Sequence, residues 1–208
     1  HAIVINDKKI VALCPHKEAA EKFITSNIIE LDNHILIPGL INAHCHAPMT
    51  LLRGIADDLP LEDWLNKKIW PLEEKFISQE FVEDGAELAI AEMILSGTTC
   101  FADMYFYPDC VAKKAIDSNM RVQLACPVLD FPTIWAQSAD EYIQKTITIH
   151  DNYRNSELIS VAFGPHAPYT VSDAPLQKVG ALAEELDIPI HMHVHETEKE
   201  ISDYYEEV

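Results

Sequence analysis

The chain has 208 residues, 48% of them hydrophobic, a composition typical of a folded protein with one large domain or two small ones. Its 34 acidic and 15 basic side chains give a formal net charge of −19, which argues against nucleic-acid and anionic-membrane partners because phosphate groups would be repelled. With no apolar run of about 18 residues to span a bilayer and no leader before a cleavage site, we expect a cytoplasmic protein with a small, neutral or cationic ligand.

The cysteines and the chain ends carry two further expectations. Five cysteines, an odd number without a CxxC spacing, predict reduced thiols and neither a disulfide framework nor a cysteine zinc site. The sequence opens at His1 without an initiator methionine, and residues 203–208 fall within a predicted helix. We therefore expect a fragment of a longer protein.

Residues 1–38 are predicted to form a small β unit. Two short strands, AIVIN and KIVAL, flank a turn at Asn6 and Asp7, and a polar helical piece follows around HKEAAEKFI. The segment NIIELDNHILIPG is predicted to form a further strand pair about Asp32 and Asn33.

From residue 39 onward, apolar strands alternate with longer helices. Strands are predicted in LINAHCH, TTCFADM, RVQLACPVL, LISVAFGPH and IPIHMHVHE. Between them, helices are predicted in LPLEDWLNKKIWPLEEKF, SQEFVEDGAELAIAEMILSG, PDCVAKKAIDSN, ADEYIQKTITIHDNY and SDAPLQKVGALAEELD. Strands separated by helices imply parallel pairing, which leaves an open doubly wound sheet or a (β/α)8 barrel.

Two of these helices have clear sequence signals. Ser78 is a candidate N-cap for the helix that follows it, and Gly97 a candidate stop. The last helix has apolar residues at helical spacing along one face, namely Leu176, Val179, Leu182, Ala183 and Leu186.

Histidines occupy one face of two predicted strands, near the carboxyl end of each. His44 and His46 share a face because side chains alternate along a strand, and the same alternation aligns His191, His193 and His195. The carboxyl ends of parallel strands are where α/β folds place their sites. Imidazole is the commonest metal ligand, so the pattern predicts a metal centre with an open position for water.

A structural role is the alternative for each of these histidines. A single strand histidine is more often a hydrogen-bonded core residue than a ligand, and it is the meeting of an HxH pair with a second His-rich strand that favours a metal. Within the second strand, His191 sits deeper and can be structural, while His195 can be a solvent-side neighbour.

At these residues the sequence resembles a known family. PGLINAHCHAPMTLLRG is similar to the first-strand signature of the amidohydrolase superfamily. A narrower resemblance, to the branch of methylthioadenosine/S-adenosylhomocysteine deaminases and triazine hydrolases (the TRZ/ATZ family), rests on LEDWLNKKIWPLEEKF, DMYFYP, FGPHAPYTVSD and HMHVHETEKE. It implies an α/β fold, the N-terminal half of a metal-dependent (β/α)8 (TIM) barrel. Residues 39–208 would be its first five β/α units, and residues 1–38 part of a small β-sandwich domain.

The resemblance also implies roles at the metal centre. His44 and His46 match the two first-strand metal ligands, and His193, which opens the H-x-x-E of HVHE, matches the fifth-strand ligand. Glu196 matches the catalytic carboxylate that moves a proton between water and a ring nitrogen, a role that needs hydrogen-bond reach to both. A sixth-strand histidine and an eighth-strand aspartate of the family pattern fall outside this chain.

Three residues match substrate contacts of the same branch. Glu73 in WPLEE matches a carboxylate that accepts the ribose hydroxyls, and His166 in GPHAPY matches a histidine that contacts the purine. Trp64 is expected to wall the thioether side of the nucleoside. Without the resemblance they would be a helix-surface acid, a loop histidine and a packed helix aromatic.

Two features stand apart from this pattern. RVQLACPVLDFP has Cys126 and Pro127 where the branch is expected to provide an arginine, which disfavours S-adenosylhomocysteine because its charged tail needs polar partners. Three acids near strand ends, Asp57, Asp58 and Asp103, are expected to serve loop solvation or turn capping and not chemistry.

The implied activity is hydrolytic deamination of the adenine ring of 5′-methylthioadenosine or S-adenosylhomocysteine, giving the inosine analogue and ammonia. The cofactor would be one divalent metal, Zn²⁺ before iron, manganese or nickel, which the same ligands also suit. The partner would be a small nucleoside or heterocycle, and the resemblance also implies a homodimer or homotetramer.

Three alternatives stay open. A related enzyme would displace chloride or an amine from an s-triazine of the atrazine or N-ethylammeline type, or deaminate guanine or cytosine, and Glu73 would then have no ribose to hold. A non-catalytic metal-binding barrel would keep the metal without turnover. A structural α/β protein with core histidines would bind no metal.

Overall fold

The chain divides into two compact units, His1–Pro38 and Gly39–Val208. The computed structural model describes residues 1–207, with side-chain surroundings up to residue 202. Within that range no helix combines the length and the apolar character that crossing a bilayer requires. The β-sandwich assignment of the first unit stays a prediction.

The first unit contains a β-hairpin followed by a short helix. Strands β1 (Ala2–Asn6) and β2 (Lys9–Cys14) pair antiparallel. The turn between them places Asp7 and Lys8 at φ of 46° and 66°, the left-handed pair that matches the twist of a two-residue hairpin. Helix α1 (His16–Lys22) follows. The predicted strands and helix are confirmed here.

The predicted strand pair in residues 27–39 is wrong. The turn at Asp32 and Asn33 is present, but within the described residues its two arms form no strand. Their apolar side chains are exposed, with Ile35 at 89% and Ile29 at 75%. Alternating apolar residues favour extended backbone, but a strand forms only when a neighbouring segment accepts and donates its hydrogen bonds, and no described segment does so.

A four-stranded parallel sheet organises the second unit. Its strands are β3 (Leu40–Cys45), β4 (Thr98–Asp103), β5 (Arg121–Val128) and β6 (Ile159–Pro165), and they are arranged in the order β3-β4-β5-β6. All three pairings are parallel, as predicted. A strand order that follows the chain without reversal is that of a (β/α)8 barrel, whereas a doubly wound sheet reverses at a switch point.

The predicted fifth strand is reduced to a single bridge. Ile190 pairs in parallel with Phe163 of β6, so the segment lies at the expected edge of the sheet. Two backbone hydrogen bonds hold it there, from Phe163 N to Pro189 O at 3.0 Å and from His191 N to Phe163 O at 2.9 Å. A third bond, from His193 N to His166 O at 3.0 Å, lies three residues beyond Phe163 and not two, so the register slips and no regular ladder forms. The extended run ends at His195, whose φ of 57° is left-handed.

Helices follow the strands as the sequence predicts. Their bounds, after a 3-10 helix at Ala47–Leu52, are α2 Leu61–Trp64, α3 Trp70–Phe76, α4 Gln79–Leu95, α5 Pro108–Asp117, α6 Ala139–Tyr153, α7 Asp173–Leu186 and α8 Glu198–Glu207. The last predicted helix is thus present, and Val208 lies outside the described residues.

The cap, stop and apolar-face predictions are confirmed. Ser78 Oγ accepts a hydrogen bond from Phe81 N at 3.1 Å and so caps α4, while Gly97 lies just past its end at φ 85°. The predicted face of α7 points inward, with Val179 and Ala183 buried.

The segment between α2 and α3 widens into one π-helical turn, Leu65–Ile69. The sequence predicts a single helical stretch here, and the widened turn shifts the register between its two halves. Such turns are common at functional sites because they re-aim side chains without ending the helix. Here Trp64 and Glu73, on either side of the turn, both line the same cavity.

The core of the second unit lies between the sheet and its helices. Phe101 of β4, Leu124 of β5 and Phe163 of β6 are fully buried, together with Val111 of α5 and Tyr142 of α6. These buried side chains pack the helices against the strands, and the histidines are found at the carboxyl end of the sheet.

Candidate metal centre and active site

Strand β3 brings two imidazoles to one place at its carboxyl end. The rings of His44 and His46 lie on the same face, with centroids 4.9 Å apart, while Cys45 between them packs against the core. The 3-10 helix begins directly after His46, so the end of the strand is held by the turn that follows it.

His193 completes a cluster of three rings. Its Nε2 lies 3.2 Å from His44 Nε2 and 3.3 Å from His46 Nε2, and the ligand atoms of all three residues lie within 4.8 Å of one another. Two nitrogens bound at about 2.0–2.1 Å to a tetrahedral zinc ion are about 3.3 Å apart. The two separations from His193 therefore match those of nitrogens that share one zinc ion.

The other ring nitrogen of each histidine is already engaged. His46 Nδ1 lies 2.5 Å from Met104 O, and His193 Nδ1 lies 2.8 Å from His166 O. Because a carbonyl only accepts, these two rings carry their proton on Nδ1. Their Nε2 lone pairs are then free for a metal ion, which is the arrangement seen at metal-binding histidines.

Burial favours the neutral form of His44, His46 and the neighbouring His166. It lowers the pKa of His46 to about 4 and that of His166 to about 3. Burial also lowers the pKa of His44, helped by His193 and His191, while the charge of Glu196 raises it. Neutral imidazoles near pH 7 are the form that binds a metal.

A cavity of about 530 Å³ adjoins the cluster. It contains three of the predicted site residues, Trp64, Glu73 and His166, together with the ligand candidate His46. No lysine or arginine is among the described residues around it. Most of its other lining is apolar and includes Met49, Leu65, Ile69, Trp70, Met104, Phe106, Leu129, Phe131 and Ile134. An apolar cavity with a few polar groups fits a small aromatic ligand.

Glu73 is the half-buried carboxylate of this cavity, and the neighbouring Glu74, which also lines it, is exposed. Glu73 accepts a hydrogen bond from Tyr105 Oη at 2.8 Å, and Tyr105 is itself buried. Burial raises the pKa of Glu73 to about 7, and the hydrogen bond from Tyr105 opposes that rise. A desolvated carboxylate with free acceptor capacity is well suited to bind hydroxyl donors.

His166 links the cavity to the ligand cluster. Its ring centroid is 4.9 Å from that of His193, and its Nδ1 is 2.9 Å from Thr170 Oγ1. Its carbonyl oxygen accepts the hydrogen bond from His193 Nδ1. Its position just after β6 puts it at the carboxyl edge of the sheet.

Glu196 lies outside the lining of that cavity. Its side chain is exposed and accepts a hydrogen bond from Tyr169 Oη at 2.7 Å, while its backbone N–H donates to Glu200 Oε2 at 2.9 Å. It is close enough to His44 for its charge to act on that ring. The carboxylate therefore stands at the rim of the cluster.

Among the three acids assigned to solvation or capping, Asp103 is only partly as predicted. Asp57 and Asp58 are exposed, but Asp103 at the end of β4 is 1% exposed, so loop solvation is wrong for it. It does serve a turn, because Oδ1 accepts from Ala47 N at 2.5 Å at the start of the 3-10 helix. Burial raises the pKa of Asp103 to about 7.

Sequence reasoning missed three contacts of the site. Tyr105 and Tyr169 bond the two predicted carboxylates from other elements, and no local pattern ties either tyrosine to its partner. His191 bonds His44, with its Nε2 2.8 Å from His44 Nδ1. Its signal was present, because it shares a face with His193 in HMHVH.

Comparison with known proteins bears on what this arrangement does. The model of the amidohydrolase family matches residues 35–207. A 5-methylthioadenosine/S-adenosylhomocysteine deaminase of Saccharophagus degradans is 52% identical over 97% of this chain and 45% of its own length. A 5′-deoxyadenosine deaminase of Methanocaldococcus jannaschii is 45% identical over 96% of this chain and 47% of its own length. The chain thus spans about half the length of the curated relatives it matches.

Solved structures agree on the fold. An adenosine deaminase from Xanthomonas campestris with bound zinc superposes with a TM-score of 0.92 and 48% identity, over 95% of this chain and 45% of that one. An atrazine chlorohydrolase from Arthrobacter aurescens, complexed with zinc, gives a TM-score of 0.71 at 20% identity, over 76% of this chain and 41% of that one. The second likeness concerns the fold alone.

Proposed function

The chain belongs to the amidohydrolase family, and we propose that its protein is a metal-dependent deaminase of adenine nucleosides modified at the 5′ position. The substrate would be 5′-methylthioadenosine or S-adenosylhomocysteine, and the products the inosine analogue and ammonia. The observation that carries the proposal is the set of three histidines whose ligand nitrogens lie within 4.8 Å of one another, beside an apolar cavity that holds a half-buried carboxylate. The deaminase names of the relatives support it.

We assign the metal to His44, His46 and His193. When bound, a divalent ion there acts as a Lewis acid and lowers the pKa of a water towards neutrality. The three imidazoles suit zinc and also iron or nickel, and manganese would need the further carboxylate ligand of the family pattern. Zinc is favoured because it is bound in the solved adenosine deaminase that this chain resembles.

Proton transfer falls to Glu196 in this proposal. As water adds to C6 of the adenine ring, the carboxylate takes one proton from water and delivers it to N1. The proton of the new C6 hydroxyl then passes to the exocyclic amine, so that the C6–N bond breaks, ammonia leaves and C6 becomes a carbonyl. Tyr169, which donates to one oxygen of Glu196, leaves the other oxygen available for the proton.

The cavity residues would bind and orient the nucleoside. Glu73 would accept the ribose hydroxyls, since burial makes a hydroxyl donor more valuable to it than to an exposed acid. His166, neutral near pH 7, would contact the purine, and Trp64 would pack against the 5′ substituent. The absence of lysine and arginine among the described cavity residues favours an uncharged 5′ group over the charged tail of S-adenosylhomocysteine.

The experiment uses the full-length protein loaded with zinc and incubated with 5′-methylthioadenosine. We expect the absorbance change from adenine to hypoxanthine together with one ammonia per nucleoside, and loss of both after chelation. Atrazine, guanine and cytosine serve as comparison substrates. Bound zinc without conversion of any adenine nucleoside would contradict the substrate while leaving the metal site intact.

Cellular location and assembly stay predictions. We propose a cytoplasmic location on the sequence alone, because five cysteines, an odd number without a CxxC spacing, suit reduced thiols. The expected ligand is a small molecule and not a nucleic acid or a membrane. A homo-oligomer is checked by light scattering of the full-length protein.

A further inference from the structure

We propose that His191 is a positioning residue of the metal centre, which holds the ring of His44 so that its Nε2 faces the metal. The inference rests on the metal site of the proposed function, but it does not depend on the substrate. It adds a fourth histidine to the centre, one that touches a ligand and not the metal.

His44 is held differently from the other two rings of the cluster. His46 and His193 each direct Nδ1 to a backbone carbonyl, of Met104 and His166 respectively. His44 directs Nδ1 to a side chain instead, His191 Nε2 at 2.8 Å. Substitution of His191 can therefore remove the hydrogen-bond acceptor of His44. The backbone carbonyls that hold His46 and His193 stay in place whatever side chain their residues carry.

The direction of this hydrogen bond follows from the ligand role. A ring that gives its Nε2 lone pair to a metal carries its proton on Nδ1, so His44 is the donor and His191 Nε2 the acceptor. His191 then carries its own proton on Nδ1. A partner of this kind fixes both the tautomer and the orientation of a ligating imidazole, and its loss typically weakens metal binding by about 10–100-fold.

The backbone around residue 190 explains why His191 reaches His44. His191 N donates to Phe163 O at 2.9 Å and His193 N donates to His166 O at 3.0 Å, so this stretch runs extended beside the carboxyl end of β6 and the residue that follows it. Side chains two residues apart then point the same way. The rings of His191 and His193 accordingly bracket His44, with centroids 4.9 and 4.8 Å from its own.

His191 is not itself a member of the ligand set. The cluster whose donor atoms lie close enough to share an ion comprises His44, His46 and His193. The Nε2 of His191 is already occupied by His44 Nδ1, so this ring has no lone pair directed at the ion.

The test measures the zinc affinity of the full-length protein by competition with a chromophoric chelator. In His191→Leu the acceptor is lost, and we expect affinity to fall by about 10–100-fold. In His191→Gln the amide oxygen stands close to where Nε2 was and can accept from His44 Nδ1, so affinity should return to within a few fold of the wild type. His195→Asn removes a neighbouring exposed imidazole at a left-handed position that asparagine tolerates, and should bind zinc like the wild type.

A cobalt-substituted sample provides a second readout. The visible bands of bound Co²⁺ report ligand geometry, and we expect them to shift in His191→Leu and to return in His191→Gln. Wild-type affinity and unchanged bands in His191→Leu would overturn the inference, as would equal losses in His191→Leu and His191→Gln. If the wild-type protein itself bound no metal, the proposed function would fail first, and the two failures are thereby distinguished.

Discussion

Glu73 is a carboxylate without a cationic partner among the described residues around its cavity. Tyr105 gives it one hydrogen bond, and the aromatic and aliphatic side chains nearby give it none. Such a group is costly to keep ionised and gains much from hydroxyl donors of a ligand. Its role in binding and its effect on stability can therefore be tested separately.

The binding role predicts a substrate-dependent loss. Glu73→Ala should lower kcat/KM for 5′-methylthioadenosine by about 10–150-fold, the value of one hydrogen bond to a charged group. Tyr105→Phe should lower it less, because the carboxylate stays. Steady-state assays of the full-length protein with this nucleoside measure both. An unchanged kcat/KM in Glu73→Ala would exclude a ribose contact and favour a substrate without ribose.

The stability effect of Glu73 predicts a pH dependence. Its folded pKa is raised from 4.5 to about 7, so between those values the folded protein holds a proton that the unfolded chain has released. Stability therefore falls as pH rises through this window. Asp103, raised to about 7, acts in the same direction and is present in every variant compared.

We expect Glu73→Gln to reduce that fall by roughly 1–3 kcal/mol. Urea unfolding of the full-length protein in chelator at pH 5, 6, 7 and 8 measures it, with the exposed Glu185→Gln as a control for the same charge change. Identical pH profiles for the wild type and Glu73→Gln would show that the carboxylate is not desolvated.

The residues of the site differ in how far sequence could predict them. His44 and His46 are recognisable because strand alternation is a local pattern, whereas His193 is distinguished from His191 and His195 only by the resemblance to the family. The contacts of Tyr105 and Tyr169 are not local, because each joins residues about 30 positions apart through the fold. Their partners become visible only when the elements are placed in space.

At the scale of elements, helix α4 passes close to the turn after His46. A Cβ added at Gly85 would lie 2.4 Å from Pro48 O and 2.8 Å from Pro48 Cα, so α4 can approach the 3-10 helix only because this residue lacks one. The contact supports the end of β3, and with it the ligand pair.

Gly85→Ala is therefore expected to destabilise, although alanine favours a helix over glycine by about 1 kcal/mol. The clash is with backbone, which cannot rotate away, so we expect a net loss of about 1–3 kcal/mol and weaker zinc binding. Gly180→Ala in α7 meets nothing within 4 Å and should instead stabilise by about 0.4–1 kcal/mol. Denaturant unfolding measures the change in the free energy of unfolding for the two variants, which should have opposite signs. Stabilisation by Gly85→Ala would contradict the close approach of α4 to Pro48.

Strands were predictable where the segment that pairs with them is also recognisable in the sequence. The hairpin β1–β2 closes on itself, and the strands β3 to β6 are supported by the helices that follow them. The predicted strand pair about Asp32 finds no pairing segment among the described residues. The predicted strand at IPIHMHVHE finds one, β6, and pairs with it at a single bridge. Apolar alternation specifies an extended backbone, not the partner that turns it into a sheet.

At the scale of the whole molecule, the ligand cluster joins residues that are 149 positions apart, at opposite edges of the four-stranded sheet. A metal bound to His44 and His193 would link β3 to the segment beside β6, at the other edge of the sheet. Since the unfolded chain does not hold these nitrogens together, bound metal stabilises the folded state alone.

Metal removal should therefore lower thermal stability as well as abolish activity. With zinc at about 100–1,000 times its dissociation constant, we expect about 3–4 kcal/mol of stabilisation, lost on addition of a chelator. Calorimetry of the full-length protein with and without chelator measures it. His44→Ala should abolish the chelator-dependent shift of Tm, whereas His16→Ala, at an exposed position of α1, should keep it in full. Equal shifts in the two variants would place the stabilising metal elsewhere in the protein and remove His44 from its ligands.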